Sequence, residues 1–171
     1  LNPSYYSLFL TPFKFNSTRS MNQSASLLSP KEISFITKKT IAHYDVNAVG
    51  FRNGTSDHDV RQNYKALLDS IDGDSPYWIL DLGCGPGRDI KYFSSLGHEV
   101  IGLDGSKTFV ELAKSSTDCE VLHQDFLEMD LPENRFDGVF ANAVLFHVPS
   151  QELPRVLMEF NQSLKIRGAL F

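Results

Sequence analysis

Trp78-Ile79-Leu80-Asp81-Leu82-Gly83-Cys84-Gly85-Pro86-Gly87-Arg88 decides the fold. A short apolar run, suited to a strand buried on both faces, passes into a glycine-rich turn that opens a helix with Ile90, Phe93 and Leu96 inward. Glycines at such a turn let the backbone approach a ligand and adopt conformations that side chains forbid. About 20 residues further on, Asp104 ends the next strand, Glu99 to Leu103, where a carboxylate accepts hydrogen bonds from ribose hydroxyls.

The alternation continues in both directions. Downstream come a helix with Phe109, Leu112 and Ala113 inward, a short strand at Glu120 to Leu122, and a strand from Asp137 to Ala141. Leu153, Val156, Leu157, Phe160 and Leu164 mark an amphipathic helix with Pro154 in its first turn, and Lys165 to Gly168 is read as the turn into a last strand that barely starts at Phe171. Upstream, Val60, Tyr64, Leu67, Leu68 and Ile71 give a helical stripe, and an earlier helix begins at Ser29-Pro30-Lys31-Glu32 with a capping box and runs toward Tyr44 through Ile33, Ile36 and Ile41. The expectation is an α/β, Rossmann-like, doubly wound and mostly parallel sheet with helices on both faces and ligands at the carboxyl ends of the strands.

The 171 residues are 42% hydrophobic and bound the chain to one domain. Residues 29–171 are expected to form it. Residues 1–28 read as a disordered leader, either transit-like or translated upstream of Met21, because Leu1 to Pro30 holds no Asp or Glu and is rich in Ser, Asn, Phe and Tyr. A cytoplasmic location is the default, mitochondrial or plastid if that segment is a transit peptide. The net charge of -5 argues against a surface built to clamp a phosphate backbone, so a small-molecule partner and no nucleic acid are expected, and no run is long enough to span a bilayer. His43, His58, His98 and His123 share no metal-ligand spacing, and Cys84 and Cys119 are too few for a zinc cage, so no metal is expected.

Four motifs in order resemble those of class I S-adenosylmethionine-dependent methyltransferases: Trp78 to Arg88, Val100 to Ser106, Gln124-Asp125-Phe126, and Asp137 to Pro149, the last similar to the small-molecule members. The resemblance runs from about Tyr44 to Phe171 and implies S-adenosyl-L-methionine as cofactor. By it, Gly83 and Gly85 lie against the methionine and ribose with Asp81 ordering the loop and Cys84 packed within it. Asp104, with Gly105 beside it, holds the ribose hydroxyls, and Asp125 takes the adenine amino group with Phe126 adjacent. Asn142 and Ala143 face the methionine and the methyl group. Tyr44, and Phe51, Gly54 and Thr55 in the loop after it, close over the cofactor. No catalytic base is assigned, and His147 is read as a packed, hydrogen-bonded residue.

Asn142 is followed by Ala143-Val144 and not by the proline-proline-aromatic run of enzymes acting on nucleobase or peptide amides, which favours methyl transfer to a small metabolite. A nicotinamide-dependent oxidoreductase would need glycine where Arg88 stands. A non-catalytic relative is the other alternative. The family usually adds two further strands, so a sheet of five of the usual seven strands, marginally stable alone, is expected.

Overall fold

The computed structural model describes residues 27–171. In chain order these form α1 (Pro30–Thr55), α2 (Arg61–Ser70), β1 (Trp78–Leu82), α3 (Arg88–Ser95), β2 (Glu99–Asp104), α4 (Lys107–Ser116), β3 (Glu120–His123), β4 (Phe136–Phe140), α5 (Leu153–Ser163) and β5 (Leu164–Leu170), with a 3-10 turn at Leu145–His147. The strands make one sheet in the order β3-β2-β1-β4-β5, and all four pairings are parallel. Winding reverses between β1 and β4, which opens a crevice at the carboxyl ends of those strands.

The two-residue period of each strand sorts its side chains into two cores. Ile79, Val100, Val121 and Phe140 face Tyr64 and Leu67 of α2, Ile90 and Phe93 of α3, and Val110 and Ala113 of α4. Leu80, Leu82, Ile101, Leu103 and Val139 face Val156 and Phe160 of α5. Phe93, Phe140 and Phe160 are fully buried, and each such side chain contributes about 1.5–3 kcal/mol relative to an exposed one. Leu96, expected inward, is exposed because α3 ends at Ser95 and Leu96 is its C-cap.

Helix α1 starts as the sequence predicts, with Ser29 and Glu32 closing a capping box. It does not stop near Tyr44. It continues to Thr55, so Phe51, Gly54 and Thr55 occupy its last turns and not a loop. Tertiary ties outweigh the two glycines of this stretch. Asp45 Oδ1 accepts from the Ser106 hydroxyl at 2.6 Å and from the Thr108 amide at 3.0 Å, and Arg88 Nη1 donates to the Thr55 carbonyl at 3.2 Å. The helix thereby lies over the strand ends. Ile36, with no sheet face to meet, points outward beside Phe35.

At the other end, β5 begins at Leu164 and not near Gly168. Phe136 pairs with Leu164, and Gly138 with Ala169, so Lys165 to Gly168 is a bulge inside the strand, with Arg167 at φ 68°. Pairing carries on through Phe171, whose amide donates to Val139 and whose carbonyl accepts from Ala141. The expected leader lies outside the described residues except for Leu27 and Leu28. Leu28 exchanges two hydrogen bonds with the Gln151 amide, at 2.7 and 3.0 Å.

Candidate cofactor and active site

Strand ends and α1 enclose a cavity of about 390 Å³. Its floor is the turn after β1. Gly83 and Cys84 amides both donate to the Leu103 carbonyl, which folds the turn against β2. Gly83 stands at φ 65°, and a Cβ there would lie 2.4 Å from Val144 Cγ2. Gly85 stands at φ 53°, and a Cβ there would meet only the Phe51 ring, 3.8 Å away across the cavity. Backbone is therefore presented to the cavity where a side chain would strain the turn or fill the space.

Asp104 closes the next wall. Its Oδ2 accepts from the Gly85 amide at 3.0 Å and its Oδ1 from the Ser106 amide at 2.8 Å, so the strand-end carboxylate and the glycine turn hold each other. Burial raises its pKa above the ordinary carboxylate value, against the lowering effect of those two amides. Spare lone pairs on both oxygens leave it able to accept further bonds. Gly105 packs under Ile41 of α1, where a Cβ would meet Ile41 Cδ1 at 3.1 Å. Asp125 does two things at once: Oδ1 accepts from Leu127 N at 2.9 Å, building the turn after β3, and the residue lines the cavity beside Phe126.

Past β4, Asn142 Oδ1 accepts from Asn63 Nδ2 at 2.9 Å, and Ala143 holds a left-handed φ of 54°, unusual for a residue with a Cβ. Both line the cavity. Opposite them the Tyr44 hydroxyl lies 2.9 Å from His147 Nε2. Tyr44, Phe51 and Phe109 form an aromatic group with ring centroids 5.3–5.7 Å apart, a spacing at which such rings attract. Among the expected residues, Tyr44, Gly83, Cys84, Gly85, Asp104, Gly105, Asp125, Phe126, Asn142, Ala143, Phe51 and Thr55 are brought together around this cavity.

Asp81 and Gly54 are not among the cavity's lining residues. Asp81 is buried beneath the turn, its Oδ2 without a partner among the described residues. Burial, then the Asp89 and Asp104 carboxyls, hold its pKa well above the ordinary value. The folded protein thus keeps a proton that the unfolded chain releases, and stability falls as pH rises from the ordinary carboxylate range to the raised value. Asp81→Asn, which carries no charge, is expected to flatten that slope and to raise the urea midpoint at pH 7; unfolding curves for both proteins from pH 4 to 8 check this.

Several contributors were not foreseen. His147 is packed and hydrogen-bonded as expected, but its partner is a cavity residue from α1. Asn63 orients Asn142 from a helix 79 positions away. Arg88 pairs with Asp89 at 2.7 Å, and Asp89 also accepts from the buried Tyr64 hydroxyl. Cys84, by contrast, is packed in the turn as expected: burial pushes its thiol pKa up, and its sulfur would touch a Cβ at Gly102. Ser106, which joins Asp104 and Asp45, did carry a local signal as a serine N-cap directly before the α4 run.

Comparisons with known proteins agree with this arrangement. The methyltransferase-domain family matches residues 79–168. A ubiquinone biosynthesis O-methyltransferase of Rhodopseudomonas palustris is 31% identical over 146 residues, 75% of this chain and 56% of that protein. The 18S rRNA (guanine-N(7))-methyltransferase of Schizosaccharomyces pombe is 27% identical over 149 residues, 78% of this chain and 54% of that protein. The chain thus spans about half the length of these curated relatives. Among solved structures, the 1,6-didemethyltoxoflavin-N1-methyltransferase of Burkholderia thailandensis, with 1,6-didemethyltoxoflavin and S-adenosylhomocysteine bound, aligns with TM-score 0.66 and 25% identity, covering 84% of this chain and 63% of that one.

The likeness to an rRNA methyltransferase overturns one expectation. A net charge of -5 does not exclude a nucleic-acid partner, because whole-chain charge does not report the local surface that would present an RNA acceptor to the cavity. With its glycine turn, strand-end carboxylate and wholly parallel sheet in place, the chain belongs to the methyltransferase-domain family, in the class I S-adenosylmethionine-dependent fold.

Proposed function

We propose that this protein transfers a methyl group from S-adenosylmethionine to a small-molecule acceptor. The observation that carries the reading is the joined pair of Asp104 and the Gly83-Gly85 turn on the cavity floor. The cofactor's sulfonium supplies an activated methyl group, so the protein's task is position and electrostatics. Asp104 accepts the ribose hydroxyls on lone pairs that the Gly85 and Ser106 amides leave free. The open face over Gly85 admits the sugar and methionine, and Asp125 and Phe126 take the adenine. Asn142, held by Asn63, orients the methionine end. Helix α1, fixed by Asp45 and Arg88, lies over the cavity.

The small-molecule reading is supported by the enclosure of the cavity under α1 and by the likeness to an O-methyltransferase of quinone biosynthesis. Incubation of the protein with methyl-tritiated S-adenosylmethionine, a low-molecular-weight metabolite fraction and total RNA tests it. Label is expected in the metabolite fraction. Label confined to RNA would overturn the acceptor class, and label in neither would overturn turnover.

A further inference from the structure

Tyr44 reaches the cavity from α1 and His147 from the turn after β4, 103 positions apart, and their polar atoms meet at 2.9 Å with the rings edge to face at 82°. Burial lowers the His147 pKa and raises that of Tyr44, which keeps the imidazole neutral and the phenol protonated. In that state the tyrosine hydroxyl donates to an unprotonated Nε2, and its oxygen remains free to accept.

The surrounding wall has a definite chemistry. Thr37, Thr40, Ile41 and Phe146 share it, and Thr37 Oγ1 is buried there with no partner among the described residues. Among the described residues, the charged side chains lining the cavity beyond Asp104 and Asp125, which the cofactor engages in the reading above, are Arg88 and Asp89, and these pair with each other. A cationic acceptor entering beside Tyr44 would leave water to face the cofactor's sulfonium, with those carboxylates already engaged, at high cost. A neutral one with a flat apolar body would pack on the aromatic rings and could satisfy Thr37.

We propose that Tyr44 and His147 form a proton-accepting pair for a neutral hydroxyl acceptor of the phenol class, lying against Thr37 and Phe146. The inference rests on the methyl-transfer reading above. As the acceptor oxygen forms its bond to the methyl carbon, the methyl-sulfur bond breaks and its electron pair stays on sulfur. The acceptor proton goes to Tyr44 Oη, while Tyr44 gives its own proton to His147 Nε2. The positive charge lost at sulfur reappears on the imidazolium. Tyr44 touches the acceptor; His147 acts through Tyr44.

The test uses 4-nitrophenol as a probe on the protein saturated with S-adenosylhomocysteine, in mildly acidic buffer where the free probe is neutral, followed by calorimetry and by the probe's near-ultraviolet absorbance. The probe is expected to bind as the neutral phenol, with a red shift of its absorbance as its hydroxyl donates to Tyr44. His147→Gln is expected to weaken it about 10-fold and abolish the shift, while S-adenosylhomocysteine affinity stays within about threefold. Tyr44→Phe is expected to lose the same absorbance change. A loaded protein that does not bind the probe, or variants that bind it and shift its absorbance like the parent, would overturn the pair. Failure of the folded protein to bind S-adenosylhomocysteine at all would instead strike the methyl-transfer reading on which the pair rests.

Discussion

Asp104→Ala is expected to weaken S-adenosylhomocysteine binding by roughly 10- to 100-fold, the size of one or two hydrogen bonds to a charged group. The carboxylate is the point where β2 and the glycine turn meet, bonded to Gly85 N on one oxygen and Ser106 N on the other. Alanine removes the acceptor for the ribose and also frees those two amides. Each unpaired buried donor costs about 1–3 kcal/mol, so a lower melting temperature accompanies the loss. Asp104→Asn separates the two effects, since it keeps one acceptor oxygen and the side-chain volume. Its expected affinity lies between parent and alanine variant. Titration below the melting point, with circular dichroism on the same samples, makes the comparison; parent-like affinity in a folded Asp104→Ala protein would remove Asp104 from the site.

Gly83→Ala is expected to destabilise the fold by about 2–5 kcal/mol, from a left-handed backbone and an overfilled contact together. The added Cβ would stand 2.4 Å from Val144 Cγ2 and 3.0 Å from Val144 Cβ, at φ 65°. Gly97→Ala supplies the control, because its φ is 86° but nothing lies within 4 Å of the added carbon. That variant is expected to lose only the conformational part, about 1–2 kcal/mol. Adding Val144→Ala to Gly83→Ala should return part of the difference. Urea midpoints read all four proteins, and equal losses at Gly83 and Gly97 would show that the Val144 contact relaxes freely.

How much of this was legible depended on how local the cause is. The strand at Trp78–Leu82, the turn after it and the carboxylate ending β2 follow from runs of adjacent residues, and the parallel order follows from the alternation of such runs. The far end of α1 was not legible, since Asp45 ties it to α4 and Arg88 holds it from α3 against the glycines at 50 and 54. The same holds for the Tyr44–His147 and Asn63–Asn142 pairs. Each joins residues that become neighbours only once α1 and α2 lie across the strand ends. The Lys165 to Gly168 segment carried a true turn signal, but Leu164 pairs with Phe136 before it, so the turn became a bulge. Net charge misled for a related reason: it averages over a whole surface, whereas an acceptor meets one mouth of one cavity.

Calorimetric titration of the purified protein with S-adenosylhomocysteine and, separately, with NAD tests the central claim most directly. Saturable one-to-one binding of S-adenosylhomocysteine and no heat from NAD is the predicted result. Binding of NAD in its place, or no binding of S-adenosylhomocysteine by a protein that melts cooperatively, would contradict it.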